Sequence, residues 1–193
     1  MTTLSFFTSW ARSTVLGWAV GVPAIVLLAA LAESLGQHSL LAPVGAGMGL
    51  AVGFFQYRAI RTRLDRAVRW FWSCSIGLAA PFLAVDLARA ASVTVPYSLY
   101  VAVICGGLIL GAWQAVLLRS SPGRAAFWVA ASVLGWGLAS GSVALADSLV
   151  RGRTIRGIPG ALAYLGLVAT GGVLLAVITG VVLVRLLPSQ PAT

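Results

Sequence analysis

The sequence predicts an all-α integral membrane protein of six transmembrane helices, arranged as three parallel helical-hairpin repeats. Composition and patterning both lead there. Of the 193 residues 60% are hydrophobic and only 9% charged, with a mean hydropathy of +0.98, whereas a soluble domain carries roughly 45–50% apolar residues. The apolar residues also fall into six runs, near 13–32, 40–57, 70–88, 95–118, 125–146 and 158–187. Each is close to the ~20 residues that an α-helix needs to cross ~30 Å of hydrocarbon. The connections are too short to bury a second core, so residues 1–193 read as one membrane domain.

The first run follows Arg12 and ends at Glu33. The small residues around Leu31 and Ala32 superficially match a signal cleavage site, but the run exceeds the ~7–15 residues of a signal core. Arg12 also directly precedes it rather than standing in a basic leader. The first span is therefore expected to be retained.

The second and fourth runs carry the same stripe. Gly49, Gly53 and Gln56 stand at i, i+4 and i+7, as do Gly107, Gly111 and Gln114, so each set lies along one helix face. Trp70 and Trp128 stand at or near the starts of the third and fifth runs. Displacing the sequence by 58 residues superimposes Gly49, Gly53, Gln56, Arg61, Arg66, Trp70 and Gly77 on Gly107, Gly111, Gln114, Arg119, Arg124, Trp128 and Gly135. Leu50 with Leu108 and Ala67 with Ala125 extend the match. Trp10, just before the first run, and Gly17 and Trp18 within it answer to Trp128, Gly135 and Trp136 in the fifth. The sixth keeps Gly172, Gly180 and Arg185 without a glutamine. The units are approximately 10–61, 66–119 and 124–185, each running out and back, so the repeats are parallel.

The Gly-x-x-x-Gly-x-x-Gln spacing, with Arg five residues on and Trp nine after that, resembles small bacterial multi-pass membrane proteins to which no activity is attached. The resemblance covers the second to fifth runs. It implies a membrane fold in the bacterial cytoplasmic (inner) membrane and no chemistry, and the sixth run departs from it by lacking the glutamine.

The net charge of +9 comes from thirteen arginines and no lysine, against Glu33, Asp65, Asp86 and Asp147. The arginines are scattered between spans rather than gathered on one face, which argues against nucleic acid as a partner. Arg12, Arg58, Arg61, Arg63, Arg66, Arg69, Arg119, Arg124 and Arg185 fall on one side of a six-span chain, and Arg89, Arg151, Arg153 and Arg156 on the other. By the positive-inside rule both termini are expected in the cytoplasm.

Glycines on a stripe let helices approach, and a glutamine beside them bonds across the interface, at about 0.6–2 kcal/mol in membranes. The Gly49, Gly53, Gln56, Gly107, Gly111 and Gln114 set is therefore a helix-packing seam or, alternatively, the lining of a polar site. Glu33, Asp86 and Asp147 each end an odd-numbered span. They form either an outer-face ionic site or surface pairs, Asp86 with Arg89 and Asp147 with Arg151. Trp10, Trp70, Trp72 and Trp128 are expected to be interfacial anchors, and Trp18, Trp113 and Trp136 core residues or platforms for a pigment, quinone or lipid. Cys74 and Cys105 differ in depth by roughly 10 Å, too far for a disulfide, and read as small apolar packing residues.

Chemistry has little to stand on. His38 alone makes no metal site. Gly45-Ala46-Gly47-Met48-Gly49 fails as a dinucleotide loop because Leu50 holds the last glycine position and no strand precedes it. No Walker loop, paired-histidine zinc motif or Ser-His-Asp set is present. The expectation is a non-catalytic accessory or scaffold subunit, in contact with lipid and with other membrane subunits or a second copy. No cofactor is required; lipid, carotenoid or a chlorophyll-type pigment is compatible. The alternative is a small transporter or substrate-binding membrane component.

Overall fold

The computed structural model describes residues 3–152 and 157–187, and every regular element in them is an α-helix. Arg153 and Arg156, two of the four arginines on the second side of the chain, lie outside the described residues. The helices are α1 (Thr3–Ser34), α2 (Ala42–Ile60), α3 (Ala67–Ala90), α4 (Ser98–Leu117), α5 (Pro122–Arg151) and α6 (Gly157–Leu186).

Five of them, all but α2, are long and apolar enough to cross a membrane. The sequence had read α2 as a sixth span of the same kind. Its 19 residues include Gly45, Gly47, Gly49 and Gly53 together with Gln56 and Arg58, which lower its apolar content. The same residues explain its position: α2 packs on α1 and α3 and buries all four of its glycines along with Met48, Val52 and Gln56.

The ends of the helices differ from the apolar runs for identifiable reasons. α1 starts about ten residues before its run because Phe6 and Trp10 are drawn into the interior, with 3% and 0% of their surface exposed. It ends at Gly36, whose positive φ of 76° closes the last turn through Gly36 N–H to Glu33 O and Gln37 N–H to Ala32 O. α5 continues past its run to Arg151, which places Asp147 where it accepts from Tyr164 Oη of α6. Pro43 and Pro122 occupy the first turns of α2 and α5, where their missing N–H has no helical partner to lose.

Each helix packs against its neighbours in sequence, and α6 returns to pack on α1, so the six form a closed ring. Two clusters of side chains fill the interior. One, toward the Arg58–Arg69 end, is built on Trp10, Trp70, Trp128, Ile60 and Leu183. The other is built on Trp18, Val52, Leu78, Leu110, Trp136 and Leu175.

The tryptophans overturn one expectation. Trp10, Trp70 and Trp128 are not surface anchors: they are 0%, 0% and 1% exposed, and only Trp72 of that set, at 48%, reaches the outside. Their rings meet one another, Trp10 edge-on to Trp70 at 5.7 Å and Trp70 tilted on Trp128 at 5.5 Å. An indole of this size contributes more by packing inside the ring than at its rim, provided its N–H finds a partner. Trp113 departs in the other direction, being 37% exposed, while Trp18 and Trp136 lie in the core, 6.1 Å apart.

Candidate functional site: a belt of indole and carboxamide hydrogen bonds

The buried tryptophans of the odd-numbered helices share a pattern. Four residues after Trp10, Trp70 and Trp128 stand Thr14, Cys74 and Ser132, and seven after stand Gly17, Gly77 and Gly135. On the even-numbered helices Gly49, Val52, Gly53 and Gln56 correspond in spacing to Gly107, Leu110, Gly111 and Gln114, and to Gly172, Leu175, Ala176 and Thr179. On the 3.6-residue period each group lies on one face of its helix.

These faces meet closely. A methyl carbon added at Gly53 would stand 2.8 Å from Cys74 Cβ, and one at Gly111 2.8 Å from Ser132 Cβ. One at Gly17 would stand 2.7 Å from Val52 Cα, and one at Gly77 3.0 Å from Leu110 Cα. Gly49 and Gly107 face backbone in the same manner, at 2.7 Å from Cys74 O and 3.1 Å from Val133 Cα.

With the backbones this near, the polar side chains reach across. Gln56 Nε2 donates to Thr14 Oγ1 of α1 at 3.2 Å, and Gln56 Oε1 accepts from Trp70 Nε1 of α3 at 3.1 Å. Gln114 repeats this two helices later: Nε2 donates to Cys74 Sγ of α3 at 3.1 Å, and Oε1 accepts from Trp128 Nε1 of α5 at 3.2 Å. The Cys74 thiol in turn donates to Gln56 Oε1 at 3.6 Å, linking the two carboxamides. Cys74 is thus a polar relay in the belt rather than the apolar packing residue that its surroundings in the sequence implied.

α6 takes part through Thr179, whose Oγ1 accepts from Trp10 Nε1 at 3.1 Å and donates to Leu175 O at 2.6 Å. Hydrogen bonds therefore join α1 to α2, α2 to α3, α3 to α4, α4 to α5 and α6 to α1. The remaining step, α5 to α6, lacks one at the level of this belt; those two helices are joined nearer their other ends, where Tyr164 Oη donates to Asp147 Oδ1 at 2.9 Å. Ser132 occupies the position of Thr14 and Cys74, yet its buried Oγ has no partner among the described residues. Threonine is shorter than glutamine, and the one hydroxyl of Thr179 is already spent. The residue of α6 in register with Gln56 is Thr179; Gly180 is one position on and packs against Trp10 and Phe7.

The three acids do not share a site. Asp86, buried, accepts from Leu41 N–H and Ala42 N–H at 2.7–2.9 Å and so caps the start of α2. The expected Asp86–Arg89 surface pair is replaced by this cap, and Arg89 Nη2 donates instead to Ser98 Oγ at 2.7 Å. Four N–H groups at a helix start lack helical partners, and a carboxylate satisfies them while facing the positive end of the dipole. Asp147 accepts from Tyr164 Oη at 2.9 Å, not from Arg151. Glu33 and His38 are exposed. Among the described residues no three His, Cys, Asp or Glu side chains come close enough to hold a metal ion. Cys74 is buried and Cys105 exposed, both free thiols.

Sequence reasoning singled out the glutamines and glycines but not Thr14, Cys74, Ser132 and Thr179. Their signal was available as the fixed offset of four from each tryptophan and of seven from Gly172. No protein-family model, curated protein or solved structure matches the chain.

Proposed function

We propose that the chain is a six-span integral membrane protein made of three helical hairpins. In this reading it sits in the bacterial cytoplasmic membrane with both termini inside, and it serves as a non-catalytic scaffold or accessory subunit of a larger membrane assembly. The three-unit reading is supported by a contact that recurs where one hairpin meets the next: Trp70 N–H on Gln56 between α3 and α2, Trp128 N–H on Gln114 between α5 and α4, and Trp10 N–H on Thr179 between α1 and α6. α2 counts as a span because its ~28 Å length is sheathed by α1 and α3.

One observation carries the scaffold reading. Gln56 and Gln114, the two groups best suited to line a path or bind a solute, spend both ends of their carboxamides on neighbouring helices. A transport or binding site needs such groups free to exchange partners. Here they act as fasteners between spans, where no hydrophobic drive holds helices together. The outside of the ring supports an assembly role, because Leu27, Phe127, Leu134 and Leu162 offer wide apolar surface to lipid or to other subunits.

Purification in a mild detergent tests this. The scaffold reading expects stoichiometric co-purifying membrane proteins or pigment. A monomer or homo-oligomer that binds a solute would support the transporter reading instead.

A further inference from the structure

At the end of the ring opposite the Arg58–Arg69 loop, α3 and α4 part to leave a groove of about 490 Å³ open to the outside. Its floor is made of small side chains, Pro81, Ala84 and Val85 on α3 and Ala102 and Cys105 on α4, with Val95 of the connecting loop at the top. The lining is apolar apart from the Cys105 thiol. On the membrane reading proposed above, on which this inference rests, such a groove faces hydrocarbon.

The mouth of the groove has the opposite chemistry. Arg89 lies one turn beyond Val85 on the same face of α3, and Ser98 one turn before Ala102 on α4. Arg89 Nη2 donates to Ser98 Oγ at 2.7 Å, which ties the end of α3 to the start of α4 one helical turn beyond the lining residues Val85 and Ala102. Only one of its five N–H donors is used in that bond. Tyr97 and Tyr100, exposed at 81% and 43%, stand at the same level. Exposed tyrosines of this kind mark the headgroup zone of a bilayer. The acid nearest in sequence, Asp86, is committed to the Leu41 and Ala42 amides. A headgroup bearing an ammonium therefore gains no anion at the mouth, whereas a phosphate gains a planar fork.

We propose that the α3–α4 groove is a binding site for an anionic phospholipid, with one acyl chain in the slot and the phosphate held by Arg89. The site gives the ring a fixed lipid on one flank, at the level where an assembly partner would meet it.

The test is native mass spectrometry of the full chain, released from vesicles of equal phosphatidylglycerol and phosphatidylcholine into mild detergent. The expected result is one retained phosphatidylglycerol, preferred over phosphatidylcholine by about tenfold. Arg89→Gln should bring that preference close to one. Ala84→Phe, which fills the slot from an exposed position, should remove retention of either lipid. Arg89→Lys keeps the charge without the fork and should fall between, which preserves the test if Arg89→Gln alters folding as read by melting temperature. The proposal is overturned if the wild type retains both lipids equally, or if well-folded Arg89→Gln and Ala84→Phe hold phosphatidylglycerol as the wild type does. Failure of the membrane reading itself would show differently, as extraction of the chain from cells without detergent.

Discussion

Trp70 and Gln56 stand 14 residues apart and are joined by an indole N–H to carboxamide bond of 3.1 Å, and Trp128 and Gln114 repeat the bond at the same separation and 3.2 Å. Neither partner reaches the surface. The pair connects two helices across a turn that carries Arg61, Arg63 and Arg66, so the fastening lies inside while the charge lies outside.

Gln56→Leu should lower stability by about 1–2 kcal/mol, since it strands the Trp70 N–H and the Thr14 hydroxyl in a dry interior. Gln114→Leu should cost less, because Gln56 has three partners and Gln114 two. Melting temperature in detergent reads both. Unchanged stability together with loss of a bound solute would move the glutamines from fastener to site.

Gly53→Ile and Gly111→Ile should loosen or unfold the ring, because even a single added carbon falls within 2.8 Å of Cys74 Cβ and Ser132 Cβ. Leu50→Ile and Leu108→Ile, at positions 41% and 51% exposed, conserve volume and should be nearly silent. Equal melting temperatures across the four variants would remove the close-packed seam from the account.

At the acids the structure separates what sequence grouped together. Asp86→Asn should cost about 1–2 kcal/mol by weakening the cap on α2, while exposed Glu33→Gln should stay within about 0.5 kcal/mol. Thermal denaturation of the two variants checks the order; a silent Asp86→Asn would mean that the cap contributes nothing.

Cysteine labelling from outside the cell, in a background lacking Cys74 and Cys105, should modify a probe at position 38 and spare one at 63. The reverse pattern would invert the membrane orientation.

Much of the helix layout was legible because hydropathy and length dictate it, and the stripe at Gly49, Gly53 and Gln56 was legible because it recurs. The direction of the tryptophans was not. A tryptophan at the end of an apolar run satisfies both a surface belt and a buried donor role, and only the register of Gln56 against Trp70 across the turn decides between them. Asp86 was misassigned for a similar reason: Arg89 is its neighbour in sequence, but the amides of Leu41 and Ala42 lie 45 and 44 residues away and become available only once α2 docks on α3. Thr179 was hidden because the third copy replaces the glutamine with a side chain of different size.

That replacement provides the most direct test that three equivalent junctions hold the ring. Thr179→Gln should let a carboxamide accept from Trp10 and donate to the unpartnered Ser132, closing the α5–α6 step as Gln56 and Gln114 close theirs. The measurement is a double-mutant cycle of detergent melting temperature over wild type, Thr179→Gln, Ser132→Ala and the pair. The account predicts that Ser132→Ala alone is neutral or mildly stabilising, since it removes an unpaired buried hydroxyl. It predicts that Thr179→Gln gains about 1 kcal/mol and that the gain disappears when Ser132→Ala is also present. An equal loss of stability from Thr179→Gln in both backgrounds would contradict it.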